Sequence, residues 1–157
     1  MLALLAFALS LVCAVAVLIS AARAAAMALP GRPQPWCEHL VRRAAATLGW
    51  AAGAVYALGL AGVAWSEAEV GDGADSTPAP ACRMGFAPEI IKGLTHHRAS
   101  YLPLRFDCVR EDGSVYVSDP DLLWMNWTWA VLALTAALLF LGMHYRTELR
   151  ARRAAVR

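Results

Sequence analysis

The chain has 157 residues, of which 59% are hydrophobic and only 17% are charged, and its formal net charge is +2. A composition this apolar is typical of a membrane protein and argues against a soluble globular domain of the same length. The composition therefore predicts a membrane fold that is mainly α-helical.

Three apolar segments, residues 1–22, 44–66 and 122–143, contain no Asp, Glu, Lys or Arg. Each has about 20 residues, which at 1.5 Å per residue covers the roughly 30 Å hydrocarbon core of a bilayer. We interpret them as three transmembrane helices. The first segment could instead be a signal peptide cleaved near Ala22-Arg23-Ala24, but no charged residue precedes Arg23, so we expect it to be retained.

Charge is distributed unevenly over the rest of the chain. The linker 23–43 carries four arginines against one glutamate, and the tail 144–157 carries five arginines against one glutamate. Residues 67–121 carry ten acidic and five basic residues. Because positively charged loops stay in the cytoplasm, we expect the linker and the tail inside, and the N-terminus and the 67–121 loop outside. The chain has one lysine and thirteen arginines. Because lysine codons are AT-rich and arginine codons are GC-rich, this ratio indicates a GC-rich bacterial genome, and hence a bacterial plasma membrane.

The second apolar segment has small residues at four-residue spacing, which forms a stripe along one side of a helix. Such a stripe lets another helix approach closely. We expect it to pack against another helix of this chain, against a second copy, or against a membrane-protein partner. Its members are Gly49, Gly53, Ala57 and Ala61.

The loop 67–121 opens with a flexible Gly-, Pro- and acid-rich linker and continues as a compact part, residues 82–119. Pro88–Leu94 predicts a short helix, and Leu104–Arg110 and Ser114–Ser118 predict two strands. Asp-Gly at 112–113 predicts a hairpin with a two-residue turn, which would pair Val109 with Tyr116. In that register Cys108 lies opposite Val117, and one face carries Leu104, Phe106, Cys108, Val115 and Val117.

Cys82 and Cys108 are the only cysteines in this acidic loop, so they are the one pair available for a disulfide on the oxidising side of the membrane. A bridge between them would restrict the unfolded loop by roughly 3.5 kcal/mol in the chain-entropy model. The predicted fold is therefore three transmembrane helices with a small disulfide-tied α+β ectodomain, a short helix plus a β-hairpin, between helices two and three. Cys13, in the first segment, is expected to pack as a small apolar residue.

Few residues suggest chemistry. His96 and His97 could contribute to a metal site if Glu89 or Asp107 converged on them, but neighbouring side chains point in different directions, so we expect no metal and no cofactor. The sequence contains no nucleophile elbow, no phosphate-binding glycine loop and no Cys-x-x-Cys pair, and the apolar segments lack the ionisable groups of most transporters. We favour a non-enzymatic accessory subunit or regulator. A metal-binding or redox enzyme component, or a transporter subunit, is the alternative.

Aromatic and basic residues mark the two ends of the predicted spans. The outer ends carry Trp65, Trp124, Trp127 and Trp129, and indole rings prefer the headgroup level. Beyond Met143 a continuing helix would place four arginines on one face, Arg146, Arg150, Arg153 and Arg157. We expect these arginines to contact anionic lipid headgroups or a cytoplasmic partner rather than nucleic acid.

Two short runs, Tyr101–Cys108 and Asp112–Tyr116, carry a family resemblance. With its Pro-x-Arg-Phe-x-Cys strand, acidic-Gly turn and last apolar segment, the chain resembles uncharacterised small membrane proteins of actinobacterial type. The resemblance covers about a quarter of the chain; it implies an ectodomain outside the cell and supplies no activity.

Overall fold

The computed structural model describes residues 1–28, 36–70 and 78–155. Within these residues the elements are α1 (Leu2–Ala25), α2 (Trp36–Glu69), α3 (Pro88–Ile91), β1 (Leu94–Tyr101), β2 (Leu104–Arg110), β3 (Val115–Val117) and α4 (Asp121–Ala155). Short 3-10 turns lie at Ala26–Ala28 and Pro80–Cys82. Residues 71–77 of the predicted flexible linker and Arg157 of the arginine face lie outside the described residues.

Helices α1, α2 and α4 are long and apolar enough to cross a membrane. They contain 24, 34 and 35 residues. At 1.5 Å per residue, α2 and α4 are each about 50 Å long, some 20 Å more than a hydrocarbon core requires. Both therefore extend beyond the apolar segments of the sequence, and each has one end that includes arginines.

The chain divides into two compact units, the first formed by Met1–Leu9 and Tyr56–Trp127. Its core contains the sheet, the disulfide and the parts of α2 and α4 that belong to this unit. The buried members of this core are Val63, Ala79, Cys82, Leu104, Phe106, Cys108 and Leu122. Tyr56 and Leu60 of α2 pack against them, so the last turns of α2 serve as one wall of the α+β part.

The sheet has three antiparallel strands in the order β1-β2-β3. The prediction of a two-stranded hairpin is therefore wrong, because a third strand, β1, is present. Strand β1 begins at Leu94, which the sequence analysis placed in the short helix, and continues through residues 95–101, which it left without secondary structure. It pairs with the whole of β2. The predicted short helix is confirmed, but it ends at Ile91, and Gly93 follows with a φ of +76°. The α+β part is therefore mainly a sheet.

The predicted β2–β3 register is wrong by one residue, because Cys108 lies opposite Tyr116 and Val109 opposite Val115. The turn has three residues instead of two: Arg110 donates its N–H to the Ser114 carbonyl, and Gly113 donates to the Arg110 carbonyl, each at 3.0 Å. Gly113 has a φ of +78°, the left-handed residue that such a turn needs. The shift places Tyr116 on the core side and moves the two valines of β3 to the opposite face.

The second unit consists of Ser10–Val55 and Thr128–Arg157. Two polar contacts join α1 and α2 there: Ser10 donates to the Ala54 carbonyl at 3.2 Å, and Thr47 donates to the Ser20 hydroxyl at 3.0 Å. Between these contacts the Sγ atom of Cys13 is buried against Gly53. Cys13 thus packs as a small apolar residue, as the sequence predicted.

Candidate functional site

The core side of the sheet is organised around the Cys82–Cys108 disulfide, whose Cα atoms are 5.8 Å apart. Tyr116 donates its hydroxyl proton to the Cys82 carbonyl at 2.6 Å, and the Phe86 ring packs edge-on against its ring. Burial raises the pKa of the Tyr116 hydroxyl, which keeps the donor protonated. The predicted disulfide is therefore confirmed, and the aromatic side chains around it have a structural part in the core.

The two adjacent histidines lie on opposite faces of β1. His97 is on the core side, where its ring stacks on Phe106 at a centroid distance of 5.0 Å and its Nε2 atom lies 3.5 Å from Glu67 Oε2. His96 is exposed on the other face and contacts the Thr95 hydroxyl. Side chains on opposite faces of a strand cannot bind one ion together. Among the described residues no group of three His, Cys, Asp or Glu side chains is placed to hold a metal.

The turn that joins β1 to β2, residues 101–104, is held by side chains of two helices. Asn126 of α4 accepts the N–H of Leu104 at 2.9 Å and donates to its carbonyl at 2.8 Å. Tyr56 of α2 donates to the carbonyl of Tyr101 at 2.9 Å. A Cβ atom at Gly59 would lie 2.7 Å from Leu104 Cδ1, so a glycine is what lets the turn approach α2. We call residues 101–103 the hairpin tip.

The face of the sheet that points away from the core carries a buried carboxylate. Asp107 has only 3% of its side chain exposed, although this face is otherwise open to solvent. Its oxygens lie 3.1 Å from Arg105 Nη2 and 3.5 Å from Arg98 Nη2. Val115 and Val117 lie on the same face and are 49% and 38% exposed. We call these five residues the outward face.

The small-residue stripe of α2 meets different surroundings along its length. Ala57 and Ala61 are buried, whereas an added Cβ at Gly49 would meet nothing within 4 Å. Gly53 contacts Cys13 of α1, with 3.4 Å between Sγ and an added Cβ. The surface of α2 at Gly49 is therefore open within the described structure.

The arginines near the end of α4 are exposed, and two of them form ion pairs. Arg150 pairs with Glu38 at the start of α2, and Arg152 pairs with Glu148. Arg146 and Arg153 form no ion pair within the described parts of the chain. A groove of about 610 Å³ lies beside them, with Arg42, His144, Arg146 and Arg150 along its polar part and Leu138, Phe140 and Met143 along its apolar part.

Sequence reasoning missed the residues that fix the sheet in place. Asn126 was visible as the only asparagine and as a polar residue inside an apolar segment, which is a recognised signal for a specific contact. Gly59 lies outside the four-residue stripe, so its spacing gave no signal. Asp107 was considered only as a metal ligand.

No protein-family model matches this chain, and no match is found among the curated proteins or the solved structures.

Proposed function

We propose that the chain is a three-span protein of a bacterial plasma membrane, with the N-terminus and the sheet outside and the linker and tail in the cytoplasm. Three helices of membrane length support the spans, and the distribution of arginine supports the orientation. The bacterial assignment rests on the coding bias of the sequence.

Within this arrangement the protein acts as a non-enzymatic interaction subunit, either an accessory subunit or a regulator. The observation that carries the proposal is the outward face. There Asp107 is buried between two arginines, on the side of the sheet that points away from the hydrophobic core. Burying a carboxylate is costly, and the ion pairs with Arg98 and Arg105 offset part of this cost, although Asp107 Oδ1 accepts no hydrogen bond within the described residues. The two ion pairs place exposed guanidinium groups next to exposed valines.

The composition of the outward face indicates the chemistry of its partner. Two guanidinium groups share one carboxylate, so Arg98, Arg105 and Asp107 together carry one excess positive charge. Each guanidinium has five N–H donors and one carboxylate cannot occupy them all, so donors remain for a second anion. Arginine beside apolar side chains is typical of protein interfaces. The fitting partner is an extracytoplasmic protein segment that combines carboxylates with apolar residues.

Further contacts are proposed for the membrane and its inner surface. Exposed Arg146 and Arg153 face anionic lipid headgroups, and each contributes about 1 kcal/mol near such a surface. The open side of α2 at Gly49 takes a helix of the same partner or of a second copy.

The binding role is tested by purification of the full chain in mild detergent from its own membrane. We expect a partner that accompanies the wild type to be lost from Arg98→Ala and from Arg105→Ala. Lys92→Ala is the matched control, because it removes one exposed positive charge from the same part of the chain and should retain the partner. Equal recovery from all four proteins would overturn the assignment of the outward face.

The orientation is tested separately with a membrane-impermeant maleimide on intact cells. A cysteine introduced by Lys92→Cys, at an exposed position outside the outward face, should react, whereas native Cys37, exposed at the start of α2, should react only after lysis. The reverse pattern would show that the orientation is inverted.

A further inference from the structure

The hairpin tip is an apolar turn whose side chains are exposed within the described part of the chain. Leu102 is 71% exposed and Tyr101 is 40% exposed, and Pro103 between β1 and β2 is exposed as well. None of these side chains carries a charge. In water such a tip would normally be polar, because turn sequences favour small polar residues.

Side chains of the two helices also hydrogen-bond to part of the backbone of this turn. The carbonyl of Tyr101 is occupied by the Tyr56 hydroxyl, and Asn126 satisfies both the N–H and the carbonyl of Leu104. Pro103 has no N–H to satisfy. An unpaired backbone polar group is costly in lipid, so these hydrogen bonds from helix side chains lower the cost of bringing the turn into contact with lipid.

Positions along the helices within this unit place the tip near the outer edge of the hydrocarbon core. Gly59, which Leu104 approaches, lies seven residues before the end of the second apolar segment at residue 66, and Asn126 lies four residues after the start of the third at residue 122. At 1.5 Å per residue these stretches span about 10 and 6 Å. The tip therefore lies close to the level at which both apolar segments end.

Two tryptophans of α4 indicate the same level. Trp124 and Trp127 flank Asn126 in the sequence, and both are highly exposed. Exposed indole rings on an apolar helix favour the interface between headgroups and acyl chains. Because Asn126 holds Leu104, the tip shares this level.

We propose that the hairpin tip is a membrane wedge: Tyr101, Leu102 and Pro103 enter the outer leaflet and contact phospholipid acyl chains. This inference rests on the three-span arrangement proposed above. The wedge adds a third point of attachment beside α2 and α4, so that the sheet cannot tilt freely and its outward face keeps a fixed direction relative to the bilayer.

The test uses spin labels on the full chain in phosphatidylcholine vesicles, in a background with Cys13→Ala and Cys37→Ser and with the disulfide intact. Leu102→Cys reports the tip, and Val115→Cys is the matched control, an exposed apolar residue at the far end of the same sheet. Collisions with oxygen report lipid, and collisions with a water-soluble nickel chelate report water. We expect an oxygen-to-nickel ratio several-fold higher at residue 102 than at residue 115.

A third label, Leu134→Cys on the exposed side of α4, separates the two proposals. Lipid contact at residue 134 together with water contact at residue 102 would overturn the wedge and leave the three spans standing. Water contact at both positions would overturn the wedge and the three-span arrangement together. Lipid contact at both, with water contact at residue 115, is the expected result.

Discussion

Replacement of Asn126 by alanine should release the β1–β2 turn from α4. The change removes the acceptor for the Leu104 N–H and the donor for its carbonyl, at 2.9 and 2.8 Å. The Leu104 residue is fully buried, so water cannot replace either bond where it stands. A buried polar group left without a partner costs about 1–3 kcal/mol, which for two groups gives about 2–6 kcal/mol.

A small gain offsets part of this loss, because alanine is a better helix former than asparagine by about 0.5 kcal/mol. We therefore expect the turn to open more easily by about 1.5–5.5 kcal/mol. Since 1.4 kcal/mol corresponds to a tenfold change in an equilibrium, amide exchange of the turn should accelerate by about 10-fold or more.

Hydrogen–deuterium exchange of a peptide covering residues 101–106 in detergent micelles measures this effect. Thr135→Ala is the matched control: it removes a polar side chain from the same helix, where the hydroxyl donates to the Val131 carbonyl one turn away. That variant should leave exchange at 101–106 unchanged. If Asn126→Ala also leaves it unchanged while the disulfide stays formed, the clamp does not hold the turn and the reasoning is refuted.

Two further predictions concern α2 and the β2–β3 turn. Gly59→Ala should lower the free energy of unfolding by about 1–3 kcal/mol more than Gly62→Ala does. The reason is that a Cβ at Gly59 would lie 2.7 Å from a buried Leu104 carbon, whereas one at Gly62 would meet nothing within 4 Å. Equal melting temperatures would contradict the proposed close approach. The Asp112 carboxylate accepts hydrogen bonds from the side chain of Ser114 and from its N–H, and these bonds hold the pKa of Asp112 below 3.8. The stability that they contribute is present at a pH above the pKa of Asp112 in the unfolded chain. It is lost as the pH falls through the pKa of Asp112 in the folded chain. An NMR titration should show a lowered Asp112 pKa that rises in Ser114→Ala; a value unaffected by that change would count against the turn geometry.

Properties set by local sequence or by composition could be predicted without a structure. The lengths of the three apolar segments predict helices of membrane length, since length and apolarity belong to each segment alone. The disulfide could be predicted because charge and cysteine positions leave a single pair in the acidic loop. The existence of strands β2 and β3 follows from their residue types.

Contacts between distant residues were decided only by the tertiary structure. Strand β1 lacks a clear alternation of apolar and polar residues, because His97 fills a core-side position by stacking on Phe106. The β2–β3 register depends on whether the turn takes two residues or three, and one residue of shift exchanges the two faces of β3. Partners far along the chain or on a neighbouring strand determine the structural roles of Asn126, Gly59 and Asp107. A sequence pattern records what each segment prefers, whereas the outward face and the hairpin tip exist only once the strands have paired and packed on the helices.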